Sequence, residues 1–194
     1  QLEAKGGAVY NILDADLCRR YVQTRSGQLR LGYETYTAKE NAEALWMFAS
    51  NYASYNDVFQ VTEMELTETW TAIGTHSNPF KGTYDGNGKA IRGLEITNYN
   101  ETPSGLFGYA RGTLTGVNVV EPKIYGSHYA GAVVAHMFGT VSNCRVEGGE
   151  IIIMPNYVDG RFDNGDKAGA LVGYLAASGV GPDKIINNTV VGVR

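Results

Sequence analysis

Asp159, Asp163 and Asp166 fall within eight positions of one another, beside Tyr157, Arg161 and Phe162. Three carboxylates so close could take a Ca²⁺ ion, but their spacing is not that of an EF-hand loop, and a solvated polar turn is the alternative reading. Aromatic and acidic groups projecting together could also hold a sugar ring, by stacking and by hydroxyl hydrogen bonds. Tyr125 and Tyr129 occupy the matching connection of the preceding repeat and could lie alongside, although core or ladder roles suit them equally. The candidate ligand-binding residues are therefore Tyr125, Tyr129, Tyr157, Arg161, Asp163 and Asp166. No catalytic residue, metal ligand set or cofactor motif is expected.

Other motifs read as structure. Asp85-Gly86-Asn87-Gly88 lacks the strand-to-helix setting and spacing of a dinucleotide fingerprint and fits a tight turn. His76, His128 and His136 have no partner at metal-ligand spacing. His136 is expected to pack with one nitrogen satisfied. Ser104 lacks the Gly-x-Ser-x-Gly elbow of a serine hydrolase. Cys18 and Cys144 are the only cysteines, too few for a disulfide-stapled fold, and Cys144 is expected buried, reduced and unbridged to Cys18.

The elements that must position these residues divide near residue 57. Thr37-Ala38-Lys39-Glu40 has the form of a capping box, and Ala42, Leu45, Trp46, Phe48, Ala49 and Tyr52 follow at helical spacing. A helix with Trp46 in the core is expected there. Upstream, Asp14 could cap a shorter helix carrying Leu17, Cys18, Tyr21 and Val22, before a strand-like Gln28 to Leu31. Residues 1–57 thus read as an N-terminal helical cap region. From Val58 the period changes to two and stays there.

Within residues 58–194 the chain resembles itself. Ala90 to Ile96, Thr113 to Val119, Thr140 to Val146 and Ile185 to Val191 align at offsets of 23, 27 and 45. Gly105 to Tyr109, Gly131 to His136 and Gly169 to Tyr174 recur at 26 and 38. A repeat this short cannot bury its own apolar face, so copies must stack and share a core. The expected fold is mainly β, a right-handed parallel β-helix or solenoid. Ile91, Leu114, Val141 and Ile186 should form an inward ladder, Gly93, Gly116, Asn143 and Asn188 a turn file, and Tyr109, His136 and Tyr174 a third file. Glycine, 25 of 194 residues against a usual share of about 7%, suits its corners.

Net charge is −4 with no basic cluster, which argues against nucleic acid, and no apolar run approaches the roughly 20 residues of a spanning helix. The absence of an initiator Met suggests a removed leader or a cut from a longer chain.

Trp70-Thr71-Ala72-Ile73-Gly74, Pro79 to Ile91, Gly105 to Tyr109 and Gly169 to Tyr174 together resemble the GLUG-motif β-helical proteins of bacterial cell surfaces, over about Thr37 to Arg194. The sequence departs from that pattern at Ala135-His136, where Gly-Tyr is expected, and at Ala177 to Asp183. The resemblance implies an exported or surface-anchored, adhesin-like module, with flanking domains in a larger protein. Three functions stay open: a non-catalytic module binding a host partner or glycan, a carbohydrate-active lyase or glycosidase, and a structural stalk. Fold alone does not choose between them.

Overall fold

The computed structural model describes residues 2–4, 8–10, 21–23, 29–32, 36–54, 57–97, 102–154, 157–158, 161–162, 166–177 and 183–194, with backbone alone at 2–4, 8–10, 21–23, 54, 157–158 and 161–162. The chain is mainly β, with one α-helix among the described residues. That helix, Ala38–Asn51, starts where the capping box places it. Thr37 Oγ1 accepts from the Glu40 amide at 3.3 Å, and the Glu40 carboxylate accepts from the Thr37 amide at 2.8 Å, so two donors that a helix start leaves orphaned are satisfied. Its buried stripe is Asn41, Ala42, Ala44, Leu45 and Phe48. Trp46, expected in the core, is only partly buried because it flanks this stripe, and its ring packs on the buried Trp70 at 4.6 Å. Phe48 enters an aromatic core, 6.0 Å from Phe80 and 5.9 Å from Tyr84, both of which touch Phe107 at 5.3 Å. Burial pushes the Tyr84 phenol far up, and its hydroxyl donates to the buried Gln60.

Each repeat visits the same parallel sheets in the same order. The largest runs from Lys184–Ile186 through Thr140–Ser142, Thr113–Thr115, Thr83–Asp85 and Asp57–Gln60 to Leu29–Leu31, with Tyr21–Gln23 added antiparallel at its edge. The second contains Thr189–Val191, Arg145–Glu147, Asn118–Val120, Ala90–Arg92 and Met64–Glu65, and the third Glu150–Ile153, Lys123–Gly126 and Glu95–Thr97. Two observations correct the upstream reading: Tyr21–Gln23 is strand where a helix was expected, and parallel pairing begins at Leu29–Leu31, before Val58.

The inward ladder is real but its membership changes. Leu114 and Val141 are paired as expected, yet their neighbours are Tyr84 and Ile185, not Ile91 and Ile186. Ile91 belongs to a second ladder with Val119, Val146 and Val190. The cause is the Asp85 to Ala90 turn, which takes five steps where Thr115 to Asn118 takes three. Asp85 Oδ1 accepts from the Asn87 amide at 2.8 Å within it, so this stretch is a hydrogen-bonded turn.

The turn file divides in the same way. Gly116, Asn143 and Asn187 form one corner, and Gly93, Glu121, Gly148 and Gly192 form another, all at positive φ. Asn188 instead supports the repeat before it, accepting from the Cys144 amide and donating to the Val141 carbonyl. At a third corner no side chain fits: a Cβ on Gly139 would come within 2.2 Å of the Gly112 carbonyl oxygen. Cys144 is buried and free, and burial raises its thiol to about 11; Cys18 lies outside the described residues. In the last repeat the ladder positions Ile185 and Val190 are 49% and 47% exposed.

Candidate functional site

Parallel register turns sequence offsets into neighbours, and along one file it gathers aromatic, imidazole and cationic groups. The strands Phe107–Ala110, Val134–Met137 and Val172–Leu175 set Tyr109 beside His136 and His136 beside Tyr174. The ring centroids are 4.9 and 4.8 Å apart, within the range where aromatic rings attract. Tyr129–Gly131 and Lys167–Gly169 pair next to them, aligning Tyr129 with Lys167. The Lys167 ammonium therefore stands 5.3 Å from the Tyr129 ring and 4.6 Å from that of Tyr174. Tyr129 itself stacks on Tyr174 at 5.2 Å and meets His136 edge-on at 5.1 Å.

The same logic adds a second tier. Phe138 stacks on His136 at 4.5 Å, and the Arg111 guanidinium lies over Phe138 at 4.9 Å. His76, between bridges at Ile73 and Phe80, meets Tyr109 edge-on at 5.5 Å. His128 lies against Tyr129, its Nδ1 3.5 Å from Asp166 Oδ1. All three histidines of the chain thus join one continuous cluster.

The electrostatics are uneven. His136 is only 8% exposed, and neither ring nitrogen has a hydrogen-bond partner. The expected satisfied nitrogen is absent. Burial, and then the nearby His76, His128, Arg111 and Lys167, lower its pKa to about 4, so the ring is neutral at physiological pH with one donor and one acceptor unused. Burial also raises the Tyr109 phenol, with Tyr129 adding to the effect. Asp166 Oδ1, on a side chain 11% exposed, is likewise without a hydrogen-bond partner. Among the described residues four buried side-chain polar atoms lack one, and three are these. Native structures rarely leave such atoms unpaired, so their concentration here marks a place built to meet something polar.

A cleft of about 540 Å³ adjoins the file and shares His76 and Tyr109 with it; Trp70, Thr71, Thr75 and Thr97 are among its other walls. Trp70 is fixed by donating its indole N–H to the Leu106 carbonyl at 3.0 Å.

Of the expected binding residues, Tyr129 and Asp166 come together here through His128 and Lys167. Tyr125 lies on the third sheet, where its hydroxyl donates to Glu150. Tyr157–Val158 and Arg161–Phe162 form a two-stranded antiparallel hairpin; the side chains of Tyr157 and Arg161, and all of Asp163, lie outside the described residues. His128, Lys167, Arg111, Phe138 and His76 were missed as members of a site. The signal for two of them was present, because His128 to Asp166 and Tyr129 to Lys167 both span 38 residues, the same as His136 to Tyr174.

No family model matches the chain, and no solved structure matches it. Over 95 residues, 48% of its length, it is 35% identical to Halomucin from Haloquadratum walsbyi, of which the matched part covers 1%. No helix among the described residues is long and apolar enough to cross a membrane.

Proposed function

We propose that the chain is an exported, cell-surface binding module, a right-handed parallel β-helix of the GLUG type, which holds a glycan on its aromatic–histidine file and catalyses nothing. The observation that carries this reading is the file itself: flat aromatic surface beside unpaired polar atoms and fixed cations is what a sugar ring with its hydroxyls requires. The right hand follows from the parallel pairing of successive repeats, since crossovers between parallel strands are right-handed almost without exception. The likeness to Halomucin, a surface protein, supports the location. A binding role fits better than hydrolysis because the described residues bring one carboxylate, Asp166, to the file, whereas glycosidases work with two.

The test is a printed array of host and microbial glycans, probed with the wild-type chain and with Tyr129→Ala/Tyr174→Ala. Retention by the wild type and its loss in the variant is the expected outcome. Equal retention by both would move the site elsewhere. Turnover of a retained glycan would restore the lyase or glycosidase reading.

A further inference from the structure

The geometry points to a carboxylated sugar as the ligand of the Tyr109–His136–Tyr174 file, with its ring against the aromatic groups and its carboxylate between Lys167 and Arg111; this rests on the glycan-binding reading above. Three independent observations converge on it. First, the chain is acidic overall, at −4, yet the file carries Arg111 and Lys167 against a single described carboxylate, Asp166. Second, both cations are held over aromatic rings at 4.6 to 5.3 Å, which fixes their heads at the edge of the apolar surface. A ring stacked there would carry an acid group to them, and a neutral sugar would leave that potential unused. Third, His136 offers a donor and an acceptor that no protein group takes, from a side chain more than nine-tenths buried. A neutral imidazole of this kind suits hydroxyls, which donate and accept in equal measure, and the cations beside it suit the acid. Hydroxyls on the sugar and an acid at its rim therefore account for groups that packing alone leaves unexplained.

The adjoining cleft gives the track a length. His76 and Tyr109 belong to both cleft and file, so a chain of sugars leaving the carboxylate site would cross Tyr109 and enter walls carrying Thr71, Thr75 and Thr97. An oligosaccharide suits this arrangement better than a free acid.

Calorimetric titration tests the proposal with four probes: trigalacturonic acid and its methyl ester, and 3′-sialyllactose and lactose. Each pair differs in its carboxylate charge, and the two pairs distinguish uronic from sialic sources. At least one acid should bind, with its neutral counterpart weaker by roughly tenfold or more, the usual worth of one charge-assisted hydrogen bond. Lys167→Met/Arg111→Gln should bring that acid down to the level of its counterpart, with the urea midpoint unchanged. His136→Phe, which keeps a ring and removes both nitrogens, should weaken acid and neutral forms alike. Equal affinity within both pairs, or acid preference that persists in Lys167→Met/Arg111→Gln, overturns the carboxylated-sugar assignment while the array result still stands. Binding of sodium sulfate as tight as that of either acid overturns the sugar part and leaves only an anion site. Failure of all four probes alongside array retention of another glycan overturns this assignment alone, whereas failure on the array as well removes the glycan reading.

Discussion

His136 has its hydrogen-bonding groups buried and neutral, and this ties the file to the stability of the fold. The unfolded chain takes up the imidazole proton near the ordinary value of 6.5, and the folded chain only near 4. Between those values the unfolded state binds more protons, so stability is full above about pH 6.5, falls as the pH drops towards 4 and levels off below that. The loss from this one group is roughly 3 kcal/mol at most. Thermal unfolding of His136→Phe is therefore expected to show a shallower decline than the wild type between pH 6.5 and 4.5; parallel curves would mean that the ring protonates freely in the native state. The file of Tyr109, His136 and Tyr174 was readable in advance because these residues close a Gly-led motif that recurs. Its cationic half was not. Lys167 and Asp166 follow an insertion that lengthens one repeat by 12 residues, the difference between offsets of 38 and 26, and only pairing shows them beside Tyr129 and His128.

At the scale of elements, the helix and the corners have separable roles. The helix packs on Leu29–Leu31 and Met64–Glu65 and sends Phe48 into the aromatic core. Phe48→Ala should cost about 3–5 kcal/mol in urea unfolding, against about 1 kcal/mol for Thr37→Ala, which removes only the cap. Similar small losses for both would mean that the helix is not part of the core. The corner built by Gly93, Glu121, Gly148 and Gly192 has a single side chain, that of Glu121 at φ 52°. Left-handed backbone costs roughly 1–2 kcal/mol in a residue with a Cβ, and glycine loses part of that advantage through its freer unfolded state. Glu121→Gly should thus raise stability by up to about 1 kcal/mol. Gly93→Ala should lower it, since its Cβ would meet the Leu66 carbonyl oxygen at 2.1 Å; a stabilising Gly93→Ala would contradict the tight packing of this corner. Helix and corner types were legible from capping residues and from Gly–Asn interchange. Strand register was not, because the two extra residues of the Asp85 to Ala90 turn made Ile91 look like the counterpart of Leu114 when Tyr84 holds that place.

Across the whole molecule, parallel register does two things at once. It stacks small repeats until they share a core that none could bury alone, and it lines up outward side chains from separate repeats into one file. Binding by such a surface draws on several layers, so affinity per contact can stay low and still add up when copies are presented together. The chain has only three histidines, and all three lie in the file, which makes their imidazole signals a direct reporter of its occupancy. The decisive measurement is a histidine-detected NMR titration with a glycan retained on the array. The expected result is that the ring signals of His136, His128 and His76 move together and saturate at the concentration where binding saturates. Saturable binding with all three signals unmoved would show that the ligand sits elsewhere and that the file is only part of the packing.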